Sequence, residues 1–511
     1  MADWSDGYVA EIDYTFGYYQ ELNPLRISLA FLQAGLVAPE VGNACELGFG
    51  QGISANIHAA ASVSQWSGTD FNPAQAVFAK ELSHISGSNA QFYDDAFADY
   101  CNRPDLPDFD YIGLHGIWSW ISDDNRAIIV DFIRRKLKVG GVLYISYNTM
   151  PGWASLVPLR NLLAEHSEVL SANGTGIVPR INNAIEFAEQ LLEVNPAYAR
   201  ANLQIAERLK KIKEQNRNYL AHEYFNRDWL PMSFSDMGQW LAPTKLSYAC
   251  SAHYPDFIDG FNLTNEQQVF LKNIPDPGFK ETVRDFIINQ QFRRDYWVKG
   301  PRKLPILEQS ESLRLIRLVL LTPRADITLT VNGSLGQVNL SETVYNPILD
   351  VLANYEIKTL GQIEQAIKPH NISFQQLVQA IIVMAGAARL STAQDDKAIA
   401  QSRKKTDKLN KHLFQKAISS GDIPYISSPV TGGGIALSRF QQLFLLSLLQ
   451  GKKQPVEWAQ FVWQILDNQG QKIVKDGNVL ETAELNLAEL ESQAQVFAEK
   501  QLPLMKALQV V

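Results

Sequence analysis

Cysteine is scarce in this sequence, and the short motifs of several metal sites are missing. The 511 residues include three cysteines, Cys45, Cys101 and Cys250, and none of them forms a CxxC pair. An odd and widely spaced set does not indicate a disulfide framework. An HExxH motif, a GxSxG nucleophile elbow and a GxxxxGK[ST] phosphate loop are also absent. We therefore expect no metal ligands and no metal catalysis.

Long apolar runs are lacking as well. The longest, such as Ala380–Ala388 and Phe444–Leu449, are far shorter than the about 20 residues that span a membrane. The acidic start, Met1–Tyr14, has no apolar segment of the kind found in secretory signals. These features predict a cytoplasmic protein without membrane insertion.

Basic residues are few in the first part of the chain. The whole sequence has a net charge of −8, but residues 1–150 alone carry 18 acidic and 8 basic side chains. Such a region repels phosphates and favours cationic ligands, so nucleic acid is not expected as a partner. The 46% of hydrophobic residues is ordinary for a globular protein with a sizeable core.

Apolar segments with strand and helix patterns alternate over residues 42–147, which predicts a parallel α/β sheet with right-handed crossovers. The predicted strands are Ala44–Leu47, Trp66–Asp70, Ala90–Tyr93, Phe109–Leu114 and Val142–Tyr147. After them the pattern turns helical, with one long helical period over Ala184–Asn218. Leu246–Ala252 and Phe292–Val298 are predicted to return as strands.

These patterns predict four parts of the chain. A Rossmann-like core spans residues 1–150, a helical insertion spans 151–225, and a segment that completes the sheet spans 226–300. Residues 301–511 have mainly helical patterns and are predicted to form an α-rich region of winged-helix type. Its basic run, Arg403–Lys411, is expected to be a solvated linker face.

The sequence from Glu46 to Gly52 reads ELGFGQG and joins a predicted strand to a predicted helix. Glycines allow a tight turn and a close approach of ligand to backbone. A dinucleotide site would read GxGxxG and place a pyrophosphate there. The carboxylate of Glu46 instead suits a cationic ligand, such as the amino end of S-adenosylmethionine. An ordinary glycine-rich turn is the alternative interpretation.

Two further acidic residues follow predicted strands. Asp70 ends the second strand and is placed to accept hydrogen bonds from both ribose hydroxyls of a nucleoside. Asp95 follows the third strand and could accept from an adenine amino group, although a turn or a helix cap explains it equally well. Because parallel strands end at one edge of a sheet, we expect Glu46, Asp70 and Asp95 to lie close together.

Several strings carry a family resemblance. They are Glu46–Gly52 with Asp70 and Asp95, His115–Trp120 (HGIWSW), Ser146–Trp153 (SYNTMPGW), and Tyr219–Tyr224 (YLAHEY) before Ser233–Trp240. The sequence resembles class I S-adenosylmethionine-dependent methyltransferases over about residues 10–300. The resemblance is closer to bacterial methyltransferases that carry a methyltransferase regulatory domain, including the rickettsial-type protein lysine methyltransferases.

The resemblance implies a Rossmann-like class I fold and transfer of a methyl group from S-adenosylmethionine, with S-adenosylhomocysteine as product. The implied cofactor-binding residues are Tyr14, Glu46, Gly48, Gly50, Gly52, Asp70, Phe71, Asp95, Ala96 and His115. The candidate catalytic residues are Tyr147, Asn148 and His115, and the candidate substrate-binding residues are Trp118, Trp120, His222 and Glu223. Packing, turn or ion-pair roles are the alternatives for His115, the tryptophans and the His222–Glu223 pair.

The acceptor is left open at this point. The large C-terminal part favours a protein, lysine included, or another macromolecule as substrate. The family's N-terminal stretch, which usually reads like YDExPY, is changed here to Tyr14–Asn23 (YTFGYYQELN), where the tyrosine is kept but the acidic pair is not. A small-molecule or glycan methyltransferase, and a non-catalytic S-adenosylmethionine-binding protein, therefore remain alternatives. A homodimer is also left open.

Overall fold

The structure is a computed structural model that describes residues 7–12, 14–172 and 174–511. The acidic start singled out above, Met1–Tyr14, lies partly outside these residues. The central sheet contains β1 (Asn43–Leu47), β2 (Gln65–Thr69), β3 (Gln91–Tyr93), β4 (Phe109–Leu114), β5 (Leu137–Asn148), β6 (Leu246–Ser251) and β7 (Phe292–Lys299). Their order across the sheet is β3-β2-β1-β4-β5-β7-β6.

Strands β1 to β5 are parallel, and β7 runs antiparallel to both β5 and β6. Glu46 on β1 is in register with Gly68 on β2 and Gly113 on β4. The carboxyl ends of β1, β2 and β4 therefore meet at one edge. Open α/β sheets bind their ligands at this edge.

Strand β5 is longer than predicted. It begins at Leu137, so that Gly140 and Gly141 lie inside the strand and not before it. Leu137 pairs with Phe109 on β4, and a register shift follows before Tyr111 pairs with Val142. The irregular stretch that contains the glycines is therefore part of the strand.

The helices of the core lie on both faces of the sheet. They are α1 (Pro24–Gln33), α2 (Ile53–Ala61), α3 (Pro73–Ser86), α4 (Phe97–Tyr100) and α5 (Asp123–Lys136). Successive strand residues face opposite sides. Ala44 and Val142 belong to the core that includes α1, whereas Cys45 and Leu143 belong to the core that includes α5.

The insertion after β5 is helical and forms its own small core. Its helices are α6 (Met150–Trp153), α7 (Val157–Val169), α8 (Ile177–Glu193), α9 (Ala197–Ala201), α10 (Ile205–Lys213) and α11 (Arg217–Tyr224). The long helical period predicted over Ala184–Asn218 is wrong, because the chain breaks at Asn195, which has φ +50° and precedes Pro196. A residue before proline is pushed out of the helical region.

The segment that carries β6 and β7 also contains α12 (Phe234–Leu241), α13 (Asp259–Asn262), α14 (Asn265–Lys272) and α15 (Pro277–Ile288). Short 3₁₀ turns occur at Gln20–Leu22, Trp118–Trp120, Ala242–Thr244 and Tyr254–Phe257. Both strands lie where the apolar pattern predicts them. They extend the parallel sheet beyond β5.

The rest of the chain is α-rich. Its helices are α16 (Ile306–Arg314), α17 (Glu342–Leu352), α18 (Leu360–Ala366), α19 (Phe374–Gly386), α20 (Asp396–Lys416), α21 (Arg439–Leu449), α22 (Pro455–Asn468), α23 (Ala483–Val496) and α24 (Leu502–Ala507), with 3₁₀ turns at Arg324–Asp326 and Lys368–His370 and a π-helical turn at Phe497–Gln501. Its strands are β8 (Arg317–Leu320), β9 (Thr330–Gly333), β10 (Gly336–Asn339), β11 (Lys358–Thr359), β12 (Leu390–Thr392), β13 (Tyr425–Ser428), β14 (Gly433–Ala436), β15 (Val474–Lys475) and β16 (Asn478–Val479).

The fold class is confirmed as α/β with an α-rich C-terminal region, while the winged-helix type and the four domain boundaries stay predictions. The basic run Arg403–Lys411 is not a linker, since it lies within α20, whose residues Leu409 and Leu413 pack on the core. In the described part of the chain, no helix is both long and apolar enough to cross a membrane.

Candidate active site

The glycine loop between β1 and α2 needs its glycines for two reasons. Gly48, Gly50 and Gly52 have φ values of +70°, +57° and +70°, which L side chains rarely adopt. A Cβ on Gly48 would lie 2.3 Å from the Ile117 side chain, and one on Gly52 would lie 2.7 Å from that of Ala79. At Gly50 the nearest atom is in the Tyr14 ring, at 3.7 Å. A ligand can therefore approach the loop backbone at Gly50, whereas neighbouring side chains fill the space beside Gly48 and Gly52.

A cavity lies beside this loop, at the carboxyl edge of the sheet. The structure places all ten residues predicted to bind the cofactor in its lining: Tyr14, Glu46, Gly48, Gly50, Gly52, Asp70, Phe71, Asp95, Ala96 and His115. Trp120, predicted to contact the substrate, also lines the cavity. The residues come from β1, from the loops after β2, β3 and β4, and from the N-terminal segment. Their roles remain predictions, but their convergence on one cavity is a fact of the fold.

Glu46 is a buried acid, and one of its carboxylate oxygens has no hydrogen-bond partner among the described residues. Its side chain is 3% exposed, and the oxygen without a partner is Oε2. Burial, together with the negative charge of Asp70, raises the pKa of Glu46 to about 8. A buried carboxylate is costly unless it is paired. A cationic hydrogen-bond donor in the cavity would satisfy the oxygen and restore the charged form.

Asp70 is tied to the glycine loop. Its Oδ2 accepts a hydrogen bond of 2.8 Å from the Gly50 N–H, and its Oδ1 accepts one of 3.1 Å from the Asn72 N–H. Burial nevertheless raises the pKa of Asp70 to about 7. Each carboxylate oxygen has two lone pairs, so both can accept a further hydrogen bond from a ligand.

Asp95 has a different environment. Its carboxylate forms an ion pair of 3.0 Å with Arg103, whose guanidinium lies 4.0 Å above the Tyr93 ring. The main-chain carbonyl of Asp95 accepts a hydrogen bond from the Thr69 hydroxyl at the end of β2. Asp95 is therefore fixed at the wall of the cavity.

His115 is held in place by aromatic neighbours. Its Nδ1 lies 2.7 Å from the Tyr144 hydroxyl, and its ring stacks on Tyr19 at 3.7 Å between centroids. Burial lowers the pKa of His115 to about 4, so the ring is neutral near pH 7. This environment suits hydrogen bonding and the positioning of Tyr19 better than general-base catalysis.

One side of the cavity is rich in tyrosine. The Tyr8 and Tyr14 rings lie 5.4 and 5.0 Å from the His222 ring. The His222 Nε2 donates to the Ile12 carbonyl at 3.0 Å. His222 thus fastens the N-terminal segment to α11 behind the cavity wall.

Glu223 follows His222 on α11. Burial raises the pKa of Glu223 to about 8. Burial also raises the pKa values of Tyr8, Tyr14 and Tyr19, and the nearby Glu223 charge adds to each shift. The main-chain carbonyl of Glu223 accepts a hydrogen bond from the Trp120 indole at 3.4 Å. Glu223 is therefore a half-buried acid close to the tyrosine-rich side.

Five predicted residues do not line the cavity: His222 and Glu223, described above, and Tyr147, Asn148 and Trp118. Tyr147 is fully buried and donates a 2.9 Å hydrogen bond to Asp295, and Trp118 donates to the Met232 sulfur at 3.3 Å. Asn148 is buried, and its Nδ2 has no partner among the described residues. Because side chains alternate along β5, Tyr147 lies on the face opposite Ser146, whose hydroxyl accepts from the Gly116 N–H. These placements favour packing roles for Tyr147 and Trp118.

Sequence reasoning missed several lining residues, among them Tyr8, Gln51, Ser122, Asn125 and Asp228. Gln51 lies inside the glycine motif and could have been found there. Tyr8 and Asp228 follow no motif or periodic pattern, so the sequence offered no signal for them.

Comparison with known proteins agrees with this architecture. The family described as "Predicted methyltransferase regulatory domain" matches residues 216–299. The protein sll1526 of Synechocystis, described as uncharacterized, is 41% identical over 510 residues, which are 99% of each chain. The chain belongs to the same family as sll1526. A second protein of this kind, RP789 of Rickettsia prowazekii, is 28% identical over 298 residues, or 55% of this chain and 51% of that protein.

Comparison with solved structures shows which fold the chain has. PKMT2 from Rickettsia typhi, solved in complex with AdoHcy, superposes with a TM-score of 0.71 over 98% of this chain and 100% of that one, at 18% identity. A second structure of PKMT2 gives a TM-score of 0.66. The family member described here therefore shares its fold with PKMT2 over nearly its whole length.

Proposed function

We propose that this protein is an S-adenosylmethionine-dependent methyltransferase whose acceptor is an amine, such as a lysine, on a protein or another macromolecule. The observation that carries the proposal is the buried Glu46 carboxylate, with one oxygen unpartnered, beside an open glycine loop at the carboxyl edge of the sheet. The regulatory-domain match and the AdoHcy bound to PKMT2 support the same activity.

The residues present fit the cofactor. Glu46 would hold the amino end, which is the cationic donor that its orphaned oxygen lacks. Asp70 would hold the ribose hydroxyls through its remaining lone pairs, and Asp95 would hold the adenine amino group. The Gly48–Gly52 loop would let the ligand approach the backbone at Gly50, where a side chain would project towards Tyr14.

Bound S-adenosylmethionine supplies an electrophilic methyl group on a sulfonium centre. The protein's task is to hold a nucleophile in line with that group and to exclude water, which is mainly a proximity effect. The tyrosine faces of Tyr8, Tyr14 and Tyr19 suit a cationic amine. An amine must lose a proton before it reacts, and the half-buried Glu223 is a carboxyl near this side whose pKa of about 8 suits proton exchange near neutral pH.

A macromolecular acceptor is supported by the parts added to the core. The insertion helix α11 places His222 and Glu223 beside the tyrosine-rich side, so the acceptor side is built partly outside the Rossmann-like core. Added domains commonly select large partners.

The proposal is tested by calorimetric titration with S-adenosylmethionine and S-adenosylhomocysteine. We expect binding that is weakened roughly tenfold to a hundredfold in Glu46→Ala, since a hydrogen bond to a charged group contributes about 1.5–3 kcal/mol. Glu40→Ala, which removes an exposed glutamate, is the matched control and should bind like the wild type. If the folded wild type binds neither ligand, the proposed activity is wrong.

The acceptor is then sought with a methyl-labelled donor. Purified protein incubated with a cell lysate and the labelled donor should label proteins, and mass spectrometry should locate the added mass on amine side chains. Label found only in small molecules would contradict the macromolecular acceptor while leaving the cofactor assignment intact.

A further inference from the structure

Tyr18 links the N-terminal segment to the C-terminal region. Its neighbours in sequence, Gly17 and Tyr19, line the cavity, but Tyr18 itself does not. Its ring packs on Tyr425 of β13 at 5.6 Å between centroids. Its hydroxyl lies 3.1 Å from the His58 Nε2 of α2, and its ring lies against the backbone of Gly434 in β14. Tyr18 therefore contacts three elements at once, two of them from the far end of the chain.

The β13–β14 hairpin is shaped to receive Tyr18. A Cβ on Gly433 would lie 2.5 Å from the Tyr18 hydroxyl, and a Cβ on Gly434 would lie 2.8 Å from its ring. Neither glycine has a positive φ, so the backbone conformation does not demand glycine there. The lack of a side chain is needed for space, because the tyrosine ring occupies the position.

A second contact holds the same segment a few residues later. The Asn23 side chain donates a 3.0 Å hydrogen bond to the Thr431 carbonyl, and its oxygen accepts from the Leu25 N–H at the start of α1. The cavity-lining stretch from Tyr14 to Tyr19 is thus anchored to the hairpin through Tyr18 and, beyond its end, through Asn23.

The C-terminal region also binds α2, the helix that follows the glycine loop. The last carbonyls of a helix have no partner within it. At the end of α2 the Lys405 ammonium donates to the carbonyls of Ala59 and Ser62, at 3.1 and 2.6 Å. The Gln394 amide donates to the Ala61 carbonyl at 2.7 Å. The C-terminal region therefore caps α2, whose first turn begins at the cavity.

We infer that the C-terminal region positions the parts of the site that face the cofactor, through Gly433, Gly434 and Lys405. Tyr18 is the positioning residue that connects the β13–β14 hairpin to the cavity-lining stretch from Tyr14 to Tyr19. The inference rests on the proposed function in that the cavity is taken to bind S-adenosylmethionine. Residues 390–436 would then help to build the site, in addition to any role in selecting the acceptor.

The experiment uses the full chain with Gly434→Ala, which displaces Tyr18 without changing a cavity residue. Gly421→Ala is the control, since its Cβ would meet Arg439 at an ordinary 3.4 Å and its φ is not positive. Hydrogen–deuterium exchange is followed for residues 14–22, and S-adenosylhomocysteine affinity is measured by calorimetry. We expect Gly434→Ala to speed exchange in this segment and to raise Kd, each by about tenfold, or about 1.4 kcal/mol. The control should change neither.

A purely structural role predicts something else. It would lower the thermal midpoint and speed exchange throughout the C-terminal region, with Kd unchanged in the folded protein, and that result would overturn the inference. So would unchanged exchange of residues 14–22 in folded Gly434→Ala. The exchange measurement needs no ligand, so it decides the inference even if the wild type binds no S-adenosylhomocysteine and the proposed function fails.

A milder variant covers the case in which Gly434→Ala does not fold. Tyr18→Phe keeps the ring but removes the hydroxyl that contacts His58. We expect exchange of residues 14–22 and the Kd to rise about threefold, in line with the loss of one neutral hydrogen bond. Wild-type exchange in folded Tyr18→Phe would overturn the inference.

Discussion

Two buried carboxylates of the central sheet, Glu46 on β1 and Asp295 on β7, have opposite surroundings. Glu46 is 3% exposed and Asp295 1% exposed. Both oxygens of Asp295 accept hydrogen bonds from Arg293, and one also accepts from the Tyr147 hydroxyl. One oxygen of Glu46 has no partner among the described residues. Burial raises both pKa values, so the pKa direction alone does not separate the two sites.

The hydrogen-bond partners do separate them. Arg293 also binds Asp285 and Glu281, at 2.6 and 2.9 Å, so Asp295 lies in a cluster that has a buried cation. One oxygen of Asp285 in this cluster has no hydrogen-bond partner among the described residues, but its other oxygen binds Arg293. The charge that acts on Glu46 is that of Asp70, which has the same sign. Buried polar groups are normally satisfied, and an exception calls for an explanation. A buried acid paired with a buried cation is typical of structure, and a buried acid that faces a like charge is typical of a ligand site.

The largest effect is expected from removing the cation of this cluster. Arg293→Leu leaves two buried acids, Asp285 and Asp295, and the half-buried Glu281 without their shared partner, so the free energy of unfolding should fall by about 3–5 kcal/mol. Urea unfolding followed by circular dichroism measures this change. Arg134→Leu, at an ion pair whose arginine is 52% exposed, should cost at most about 1 kcal/mol. Equal losses in the two variants would contradict the structural role of the cluster.

A smaller effect is expected from pH at the unsatisfied carboxylate. Because burial raises the pKa of Glu46 from its usual 4.5 to about 8, this carboxyl is mostly protonated at pH 6.5 and becomes charged as pH rises through 8. A cationic ligand needs the charged form, so S-adenosylhomocysteine should bind about tenfold more tightly at pH 8 than at pH 6.5.

Glu46→Gln should flatten that profile and leave the weaker dependence due to Asp70, whose pKa is about 7. Calorimetry at four pH values measures both proteins. A wild-type profile that is flat, or that falls with pH, would show that Glu46 does not meet a cationic group.

The smallest effect on function is expected at Tyr147. In Tyr147→Phe the hydrogen bond to Asp295 is lost, so the free energy of unfolding should fall by about 1.5–3 kcal/mol, the value of a hydrogen bond to a charged group. Methyl transfer by the folded enzyme should be unchanged, because Tyr147 does not line the cavity. A clear drop in kcat at unchanged stability would show that Tyr147 belongs to the acceptor site. The distinction between the Glu46 site and the Asp295 cluster would then be wrong for Tyr147.

The fold could be predicted well where local patterns are strong. The alternation over residues 42–147 and the two apolar runs near residues 246 and 292 indicated the strands of the sheet. The break at Asn195 was missed although Pro196 follows it, because the apolar period continues on both sides. The place of Lys405 could not be predicted, since a basic run gives no sign that one of its members binds the end of a distant helix.

The candidate site shows the same limit. Glu46, Asp70 and Asp95 could be placed together because each follows a parallel strand. Tyr147 was predicted on the acceptor side because it ends the fifth strand and its hydroxyl could orient an amine. Alternation along β5 shows that Ser146 and Tyr147 face opposite ways, but it does not show which face lies near the cavity. Tyr8 could not be predicted, because its contact with the cavity depends on His222, more than two hundred residues away.

The contacts of Tyr18 and Asn23 with the β13–β14 hairpin also bear on synthesis of the chain. Asn23 binds the carbonyl of Thr431, 408 positions later. At about 5–20 residues per second, a ribosome takes roughly 20–80 s to pass from the glycine loop to this hairpin. During that time the N-terminal segment lacks its anchor, and the cavity stays unfinished even if the sheet has formed. A nascent chain would therefore become able to hold its ligand only near the end of translation.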